Sequence, residues 1–200
     1  TQISEELKLE LFGTIPERAF SILERVHHFN RNTNLCLIRN KPLMAFSPEA
    51  EAAAAELNVS LDKGGERRDL TSLDTFTVDD ASTRDMDDAL SLEHDNEGFI
   101  LGIHITDVAG PVQPDTVLDR EARFRATSIY CPDIVINMFP AALAEDKLSL
   151  ICGEPRTACS FLCRFDRSFK LLSFEMFPSL IKVRRRLSYE EVDSLLDQND

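Results

Sequence analysis

The sequence has few long apolar stretches. No run of consecutive apolar residues in its 200 residues reaches the roughly 18 that indicate a membrane-spanning helix. The N-terminus also lacks a basic start followed by an apolar stretch, which is the pattern of a secretory signal. We therefore expect neither a membrane span nor a secretory signal.

Cysteine is sparse as well. The five cysteines are an odd number and form no Cys-x-x-Cys pair. Cys159 and Cys163 lie four positions apart in a strand-like stretch, where their side chains share a face but are too far apart for a disulfide. No ligand pairs occur at zinc-finger spacing, so a zinc site is not expected. This usage favours a reducing, cytoplasmic location.

Basic residues are outnumbered, with 22 Lys and Arg against 35 Asp and Glu and a net charge of −13. Such a charge argues against nucleic-acid binding, which normally uses a basic surface. The basic residues are grouped, however, so a local basic surface that binds nucleic acid is still compatible with the sequence. The alternative for each group is an ordinary solvated face. The two groups are Arg120, Arg123 and Arg125, and Lys182, Arg184, Arg185 and Arg186.

Apolar spacing in the first third of the chain predicts helices at 3–12, 16–29 and 48–57, the last of them capped by Ser47. Residues 62–68 form a polar, glycine-bearing link and predict a domain boundary. The first domain, residues 1–68, is therefore expected to be a mainly helical segment, and residues 69–200 a second domain.

Strand patterns dominate the second domain. Thr75 to Asp79 predicts a strand, 88–94 and 99–106 predict a hairpin, and 157–165 and 170–183 predict two longer strands joined by a turn at 166–168. A helix is predicted at 116–128, and 132–140 should be extended or looped. A final helix should begin after Ser188, since Glu191 three positions later completes a capping box.

Aspartates are concentrated between residues 74 and 88. Like charges at this density are costly without a cation, and oxygen-rich sites suit Mg²⁺ or Mn²⁺. Alternate strand residues face opposite sides, so Asp85, Asp87 and Asp88 converge only if the chain turns sharply near Met86. Metal-assisted phosphodiester hydrolysis uses such an arrangement. The cluster comprises Asp74, Asp79, Asp80, Asp85, Asp87 and Asp88.

Other readings of the cluster are less favoured. A calcium-binding EF loop that began at Asp79 would have Ala81 at its third position and Arg84 at its sixth, where the loop needs an oxygen ligand and Gly. Asp85-Met86-Asp87 matches the short Asp-x-Asp pattern of metal-dependent glycosyltransferases, which leaves a transferase as an alternative. A solvent-exposed acidic loop is the third reading, and the apolar strand sequence on both sides argues against it.

The segment from Phe76 to Leu90 closely resembles the catalytic signature of the RNase II/RNase R family, the RNB domain. Further stretches match this family in the same order over about residues 69–197, although Asn137 stands where the family has Pro. The resemblance implies an α+β fold, a mixed sheet with flanking helices, of which this chain is the N-terminal part. The additional matching stretches are 102–108, 118–122, 125–132, 136–140 and 148–150.

The resemblance also implies a function, namely hydrolysis of single-stranded RNA from its 3′ end with release of nucleoside 5′-monophosphates. It implies Mg²⁺ as the cofactor, with Mn²⁺ as a substitute, and other RNA-decay proteins as partners besides RNA. By the same resemblance, Asp87 is expected to be the residue most directly tied to catalysis, and the terminal bases are expected to stack on Tyr130 and Tyr189. The implied metal site comprises Asp79, Asp85, Asp87 and Asp88.

An alternative within the same fold is a non-catalytic RNA-binding protein. It is favoured by the fact that the sequence stops before the family's distal arginine at the scissile phosphate. His104 lies in an apolar strand, and we interpret it as a structural residue rather than a ligand.

Overall fold

The computed structural model describes residues 13–61 and 67–198. The chain divides into two compact units between Met44 and Ala45. The helix predicted at 3–12 and most of the link predicted at 62–68 lie outside the described residues. The domain boundary near residue 68 stays a prediction.

The first unit contains two described helices, α1 (Ile15–Arg25) and α2 (Leu35–Asn40). A capping box of Thr14 and Glu17 begins α1. The helix ends earlier than predicted because His27 adopts a left-handed φ of 57°. The short α2 was not predicted; the side chain of Asn34 accepts hydrogen bonds from the amides of Cys36 and Leu37 and so caps it.

Three α-helices and one π-helical turn are described in the second unit: α3 (Pro48–Glu56), α4 (Val117–Arg125), the π turn (Leu143–Lys147) and α5 (Tyr189–Asp197). Ser47 caps α3, and a reciprocal capping box of Ser188 and Glu191 begins α5, as predicted. α4 stops before the predicted residue 128 because Ala126 takes a left-handed φ of 64°.

A mixed six-stranded sheet forms the centre of this unit, which confirms the predicted α+β class. The strands are β1 (Arg68–Asp69), β2 (Thr75–Asp79), β3 (Asp88–His94), β4 (Gly98–Thr106), β7 (Pro155–Asp166) and β8 (Leu171–Ser188). Their order in the sheet is β1-β8-β2-β3-β4-β7, and β8 also pairs with β7, so the sheet closes on itself. β8 runs parallel to β1 and β2, and the other pairings are antiparallel. A separate pair consists of β5 (Ile129–Tyr130) and β6 (Val135–Ile136).

Two apolar clusters pack on this framework. One lies against the sheet and includes Met86, Leu150 and Ile181. The other joins α3 to α4 and the π turn, through the small side chains Ala50 and Ala54. Burial of these apolar surfaces is the main source of stability for the unit.

A polar cluster is also buried within the sheet. His104 is fully buried, with Nε2 3.0 Å from Ser91 Oγ and Nδ1 2.7 Å from Ser160 Oγ. Ser160 Oγ lies in turn 2.6 Å from Ser179 Oγ. The structural interpretation of His104 is therefore confirmed.

No helix in the described part of the chain has the length and apolarity needed to cross a membrane.

Candidate active site

Four of the six aspartates singled out in the sequence lie where β2 ends and β3 begins. β2 ends at Asp79 and β3 begins at Asp88, and their antiparallel register, with Phe76 opposite Leu90, brings these two ends together. The connecting loop, residues 80–87, carries Asp85 and Asp87. Sheet register and one short loop thus place four carboxylates in one region.

Burial and the negative charges of the neighbouring aspartates raise the pKa values of Asp79 and Asp87. Burial and then the charge of Asp88 raise the pKa of Asp79, while the Arg186 guanidinium opposes the shift. Asp87 is exposed as a residue, yet burial of its carboxyl group, followed by the charges of Asp85, Asp88 and Asp79, raises its pKa to about 6. Mutual repulsion of this kind is relieved by a bound cation.

The other two aspartates of the cluster have separate partners. Asp80 is exposed and accepts hydrogen bonds from the hydroxyl and amide of Ser82, which lower its pKa. Asp74 forms an ion pair with Arg185 at 3.0 Å. The structure therefore separates these two carboxylates from the other four.

The sharp turn predicted near Met86 is wrong. The chain turns at Ala81 and Ser82, where Asp80 supplies the hydrogen bonds, and residues 83–87 continue without a further turn. Met86 is buried at 4% exposure, whereas Asp85 and Asp87 line a cleft on the other side. Alternation of an extended segment accounts for this placement, because residues two positions apart share a face.

The cleft has a volume of about 740 Å³. Besides Asp85 and Asp87 it is lined by the ion-paired Asp119 and Arg123, by mostly apolar side chains from β4, α4 and the segment around Met138, and by Ser128 and Tyr130. A mainly apolar concave site with a few converging polar groups is typical of ligand-binding pockets.

The two tyrosines differ in their placement. The hydroxyl of Tyr130 donates a hydrogen bond to Asp85 Oδ2, and this bond, with burial, raises the pKa of Tyr130 to about 12. The Tyr130 side chain remains 62% exposed. Tyr189, 55% exposed, begins α5 one residue after Ser188, which pairs with Asp79 in the sheet. Only Tyr130 lines the cleft.

The two basic groups are largely paired within the protein. Arg123 forms ion pairs with Asp115 and Asp119, and Arg125 pairs with Glu121 while its guanidinium lies 3.7 Å from the ring centroid of Phe46. Because these arginines of α4 are paired within the protein, little of their positive charge remains for the basic surface that the sequence allowed as an alternative.

Arg186, in the second basic group, has a role that the sequence did not indicate. Its Nη2 donates to the carbonyl oxygens of Asp80, Ala81 and Thr83 at 3.4, 3.0 and 2.6 Å. The guanidinium therefore holds the turn of the acidic loop against β8. Ser149 also contacts this loop and was likewise missed, although it lies in one of the stretches that match the family.

The donor set can be compared with what a metal ion needs. Within residues 13–61 and 67–198, no three carboxylate, imidazole or thiolate groups are grouped closely enough to hold one ion. Asp79 Oδ2 is nevertheless buried without a hydrogen-bond partner, and the neighbouring groups that could ligate a metal, the carboxylates of Asp85 and Asp88, offer only oxygen atoms. This chemistry fits Mg²⁺, which takes one or two protein carboxylates and keeps water and phosphate as its other ligands.

Comparisons with known proteins agree with this geometry. Residues 67–200 match the family described as the RNB domain. The chain is 42% identical over 133 residues to ribonuclease R of Chlamydia trachomatis, a match that covers 66% of this chain and 19% of that protein. The chain thus spans about a fifth of the length of this relative.

Solved structures show the same fold. RNase R of Mycoplasma genitalium, in complex with ribose-methylated single-stranded RNA, is similar with a TM-score of 0.78 and 28% identity, over 82% of this chain and 26% of that one. Yeast Ssd1, described as a pseudonuclease, is similar in fold with a TM-score of 0.67 and 23% identity, over 90% of this chain and 22% of that one. The family match covers more than half of the chain, and the chain therefore belongs to the RNase II/RNase R family, of which it carries part of the RNB domain.

Proposed function

We propose that the protein containing this chain is a Mg²⁺-dependent exoribonuclease that degrades single-stranded RNA from its 3′ end and releases nucleoside 5′-monophosphates. The observation that carries this proposal is the grouping of four mutually repelling aspartates beside a cleft with an exposed tyrosine. Because the chain spans a fifth of its ribonuclease R relative, the activity is proposed for the whole protein.

In this proposal Asp79, Asp85, Asp87 and Asp88 form the metal site, in which one or two carboxylates contact each ion directly and water and RNA phosphate complete its coordination. When bound, Mg²⁺ supplies charge stabilisation at the scissile phosphate and lowers the pKa of a coordinated water. Mn²⁺ would substitute, since it accepts the same oxygen ligands. The orphaned Oδ2 of Asp79 and the raised pKa of Asp87 support this assignment, because both features are relieved by a neighbouring cation.

Asp87 is proposed as the catalytic residue. Its carboxyl group lines the cleft, and burial and the charges of the three other aspartates raise its pKa. An ionised carboxylate in this position orients the attacking water and accepts its hydrogen bond. Neutralisation of Asp87 should therefore reduce chemistry more than RNA binding.

Tyr130 and Tyr189 are proposed to stack on bases of single-stranded RNA. Stacking on an aromatic ring contributes about 1–3 kcal/mol per base and tolerates any sequence. The exposure of both side chains supports this role. The RNase R structure similar to this chain is described as a complex with single-stranded RNA, which supports the substrate class.

The free cysteines support a proposed reducing, cytoplasmic location for the protein.

A non-catalytic RNA-binding protein is the second candidate, because a protein described as a pseudonuclease shares this fold. The retention of all four aspartates favours the enzyme. The Asp-x-Asp transferase gains no support, since the similar proteins carry ribonuclease names.

The test uses the full-length protein, a single-stranded oligoribonucleotide and Mg²⁺, with chromatography of the products over time. We expect nucleoside 5′-monophosphates from the first time points, no reaction after chelation by EDTA, and no digestion of the matching deoxyribonucleotide strand. Internal fragments would contradict the exonuclease, and RNA binding without any product would favour the second candidate.

A further inference from the structure

Ser149 contacts the backbone on both sides of a proposed metal ligand. Its hydroxyl donates to the carbonyl oxygen of Arg84 at 2.8 Å and accepts from the amide of Met86 at 3.1 Å. These atoms belong to the two peptide groups that flank Asp85. Ser149 is fully buried, so both hydrogen bonds are shielded from water.

The neighbours of Ser149 strengthen the same attachment. The amide of Leu150 donates to the carbonyl oxygen of Met86 at 2.9 Å, and the amide of Thr106 donates to that of Asp87 at 2.9 Å. The Thr106 hydroxyl donates to the Leu148 carbonyl oxygen at 2.6 Å. Residues 148–150 thus join the acidic loop to β4.

We infer that Ser149 is a positioning residue, whose hydroxyl fixes the peptide groups flanking Asp85 and so directs the carboxylates of Asp85 and Asp87 into the same cleft. The inference rests on the proposed function, because its consequence is the affinity of those carboxylates for a divalent cation. Ser149 acts through the backbone of the loop, and its side chain does not line the cleft.

The effect of Ser149 on Asp85 depends on what fixes the register of the short segment 83–87. Residues 83–87 belong to no strand, and apart from the backbone hydrogen bonds of Leu150 to Met86 and of Thr106 to Asp87 no ladder of sheet hydrogen bonds fixes their register. A slip of one residue would turn Met86 towards the cleft and Asp85 and Asp87 towards the core. The Ser149 hydroxyl opposes this slip because it binds one acceptor and one donor two residues apart.

Ser160 offers a matched control. Like Ser149 it is a fully buried serine with two polar contacts, to His104 and Ser179, but it lies in the polar cluster of the sheet rather than at the acidic loop. Ser160→Ala therefore removes a comparable hydroxyl without altering the attachment of Asp85. A general loss of stability should affect both variants, whereas a positioning role affects only one.

The experiment compares the unaltered chain with Ser149→Ala, Ser149→Cys and Ser160→Ala. Mn²⁺ binding is measured by paramagnetic resonance titration, and exchange of the Met86 amide is measured by NMR without metal. We expect about tenfold or greater weakening of Mn²⁺ binding in the Ser149 variants, as for other residues that support metal ligands. Exchange of the Met86 amide should also accelerate in these variants, while Ser160→Ala retains both properties. Ser149→Cys keeps the test informative if Ser149→Ala does not fold.

The outcomes separate this inference from the proposed function. Unchanged Mn²⁺ affinity and Met86 exchange in folded Ser149 variants would overturn the role of Ser149 alone. Equal weakening in Ser160→Ala would overturn it too, because the effect would then follow general stability. Failure of the unaltered chain to bind Mn²⁺ would overturn the proposed metal site.

Discussion

At the scale of single residues, Tyr130 presents two separable groups. Its hydroxyl donates to Asp85, and its ring is exposed beside the cleft. In the full-length protein we expect Tyr130→Phe to keep RNA affinity but to raise the Mg²⁺ concentration for half-maximal rate by about tenfold, since a group that orients a proposed metal ligand is lost. Tyr130→Ala should in addition weaken RNA binding by about 1–3 kcal/mol.

Tyr189→Phe is the control for the hydroxyl, because Tyr189 lies outside the cleft lining. It should leave the Mg²⁺ dependence unchanged. Equal Mg²⁺ requirements for Tyr130→Phe and the unaltered enzyme would show that the Tyr130 hydroxyl does not orient Asp85.

Arg186 provides a second test at this scale. Its guanidinium binds three carbonyl oxygens of the loop turn. Arg186→Gln should accelerate hydrogen exchange of the Thr83 amide, which closes this turn on the Asp80 carbonyl, by about fivefold to tenfold. The neighbouring Arg184→Gln removes one bond to the Thr71 carbonyl and should leave Thr83 unaffected. Identical exchange in both variants would contradict the attachment.

Sequence reasoning reached the acidic residues of the site but not the residues that hold them. The aspartates lie within a short segment, so their grouping is visible in the chain. Arg186 and Ser149 bind that segment from 103 and 65 positions away. Hydrogen bonds of this range follow from the tertiary fold, through β8 for Arg186 and through the segment before β7 for Ser149, and no local spacing indicates them.

At the scale of elements, the buried His104 makes the stability of the sheet depend on pH. Burial lowers its pKa from 6.5 to about 4. A histidine with a lowered folded-state pKa takes up its proton more readily when unfolded, so its contribution to stability is lost as pH falls from 6.5 towards 4. Between pH 7 and pH 5 the loss should be on the order of 2 kcal/mol.

Urea unfolding of the unaltered chain and His104→Gln at both pH values measures this term. The raised pKa values of Asp79 and Asp87 act in the opposite direction, since these groups gain protons on folding. Both chains retain these aspartates, so the difference between the two pH dependences isolates His104. Parallel pH dependences would contradict the account.

Most elements of the second unit were predictable because their signals are local. The hairpin of β3 and β4 follows from alternation, and the helix after Ser188 follows from its capping box. β8 extends beyond the predicted residue 183 to Ser188 because its last part pairs in parallel with β2. Because of this pairing, the charged residues Arg184 to Arg186 belong to a strand. An alternation of apolar residues could not have predicted that.

At the scale of the whole molecule, the net charge of −13 must be reconciled with the proposed RNA substrate. Several arginines that would otherwise be available for a basic surface are engaged with acidic side chains or carbonyl oxygens of the protein itself. Under the proposed function, the aspartates beside the cleft therefore require bound cations to accept a phosphate backbone. Family membership and the α+β class were both accessible from the sequence, because the matching stretches occur in order along the chain.

The most direct test of the metal-dependent exoribonuclease is a comparison of Asp87→Asn with Asp80→Asn in the full-length protein, by release of mononucleotides from single-stranded RNA with Mg²⁺. Both changes remove one negative charge from the same loop, but the carboxylate of Asp80 accepts hydrogen bonds from Ser82 and is not part of the proposed metal site. We predict that Asp87→Asn lowers the rate by about a hundredfold or more while RNA stays bound, and that Asp80→Asn has little effect. Equal rates in the two variants would contradict the proposed active site.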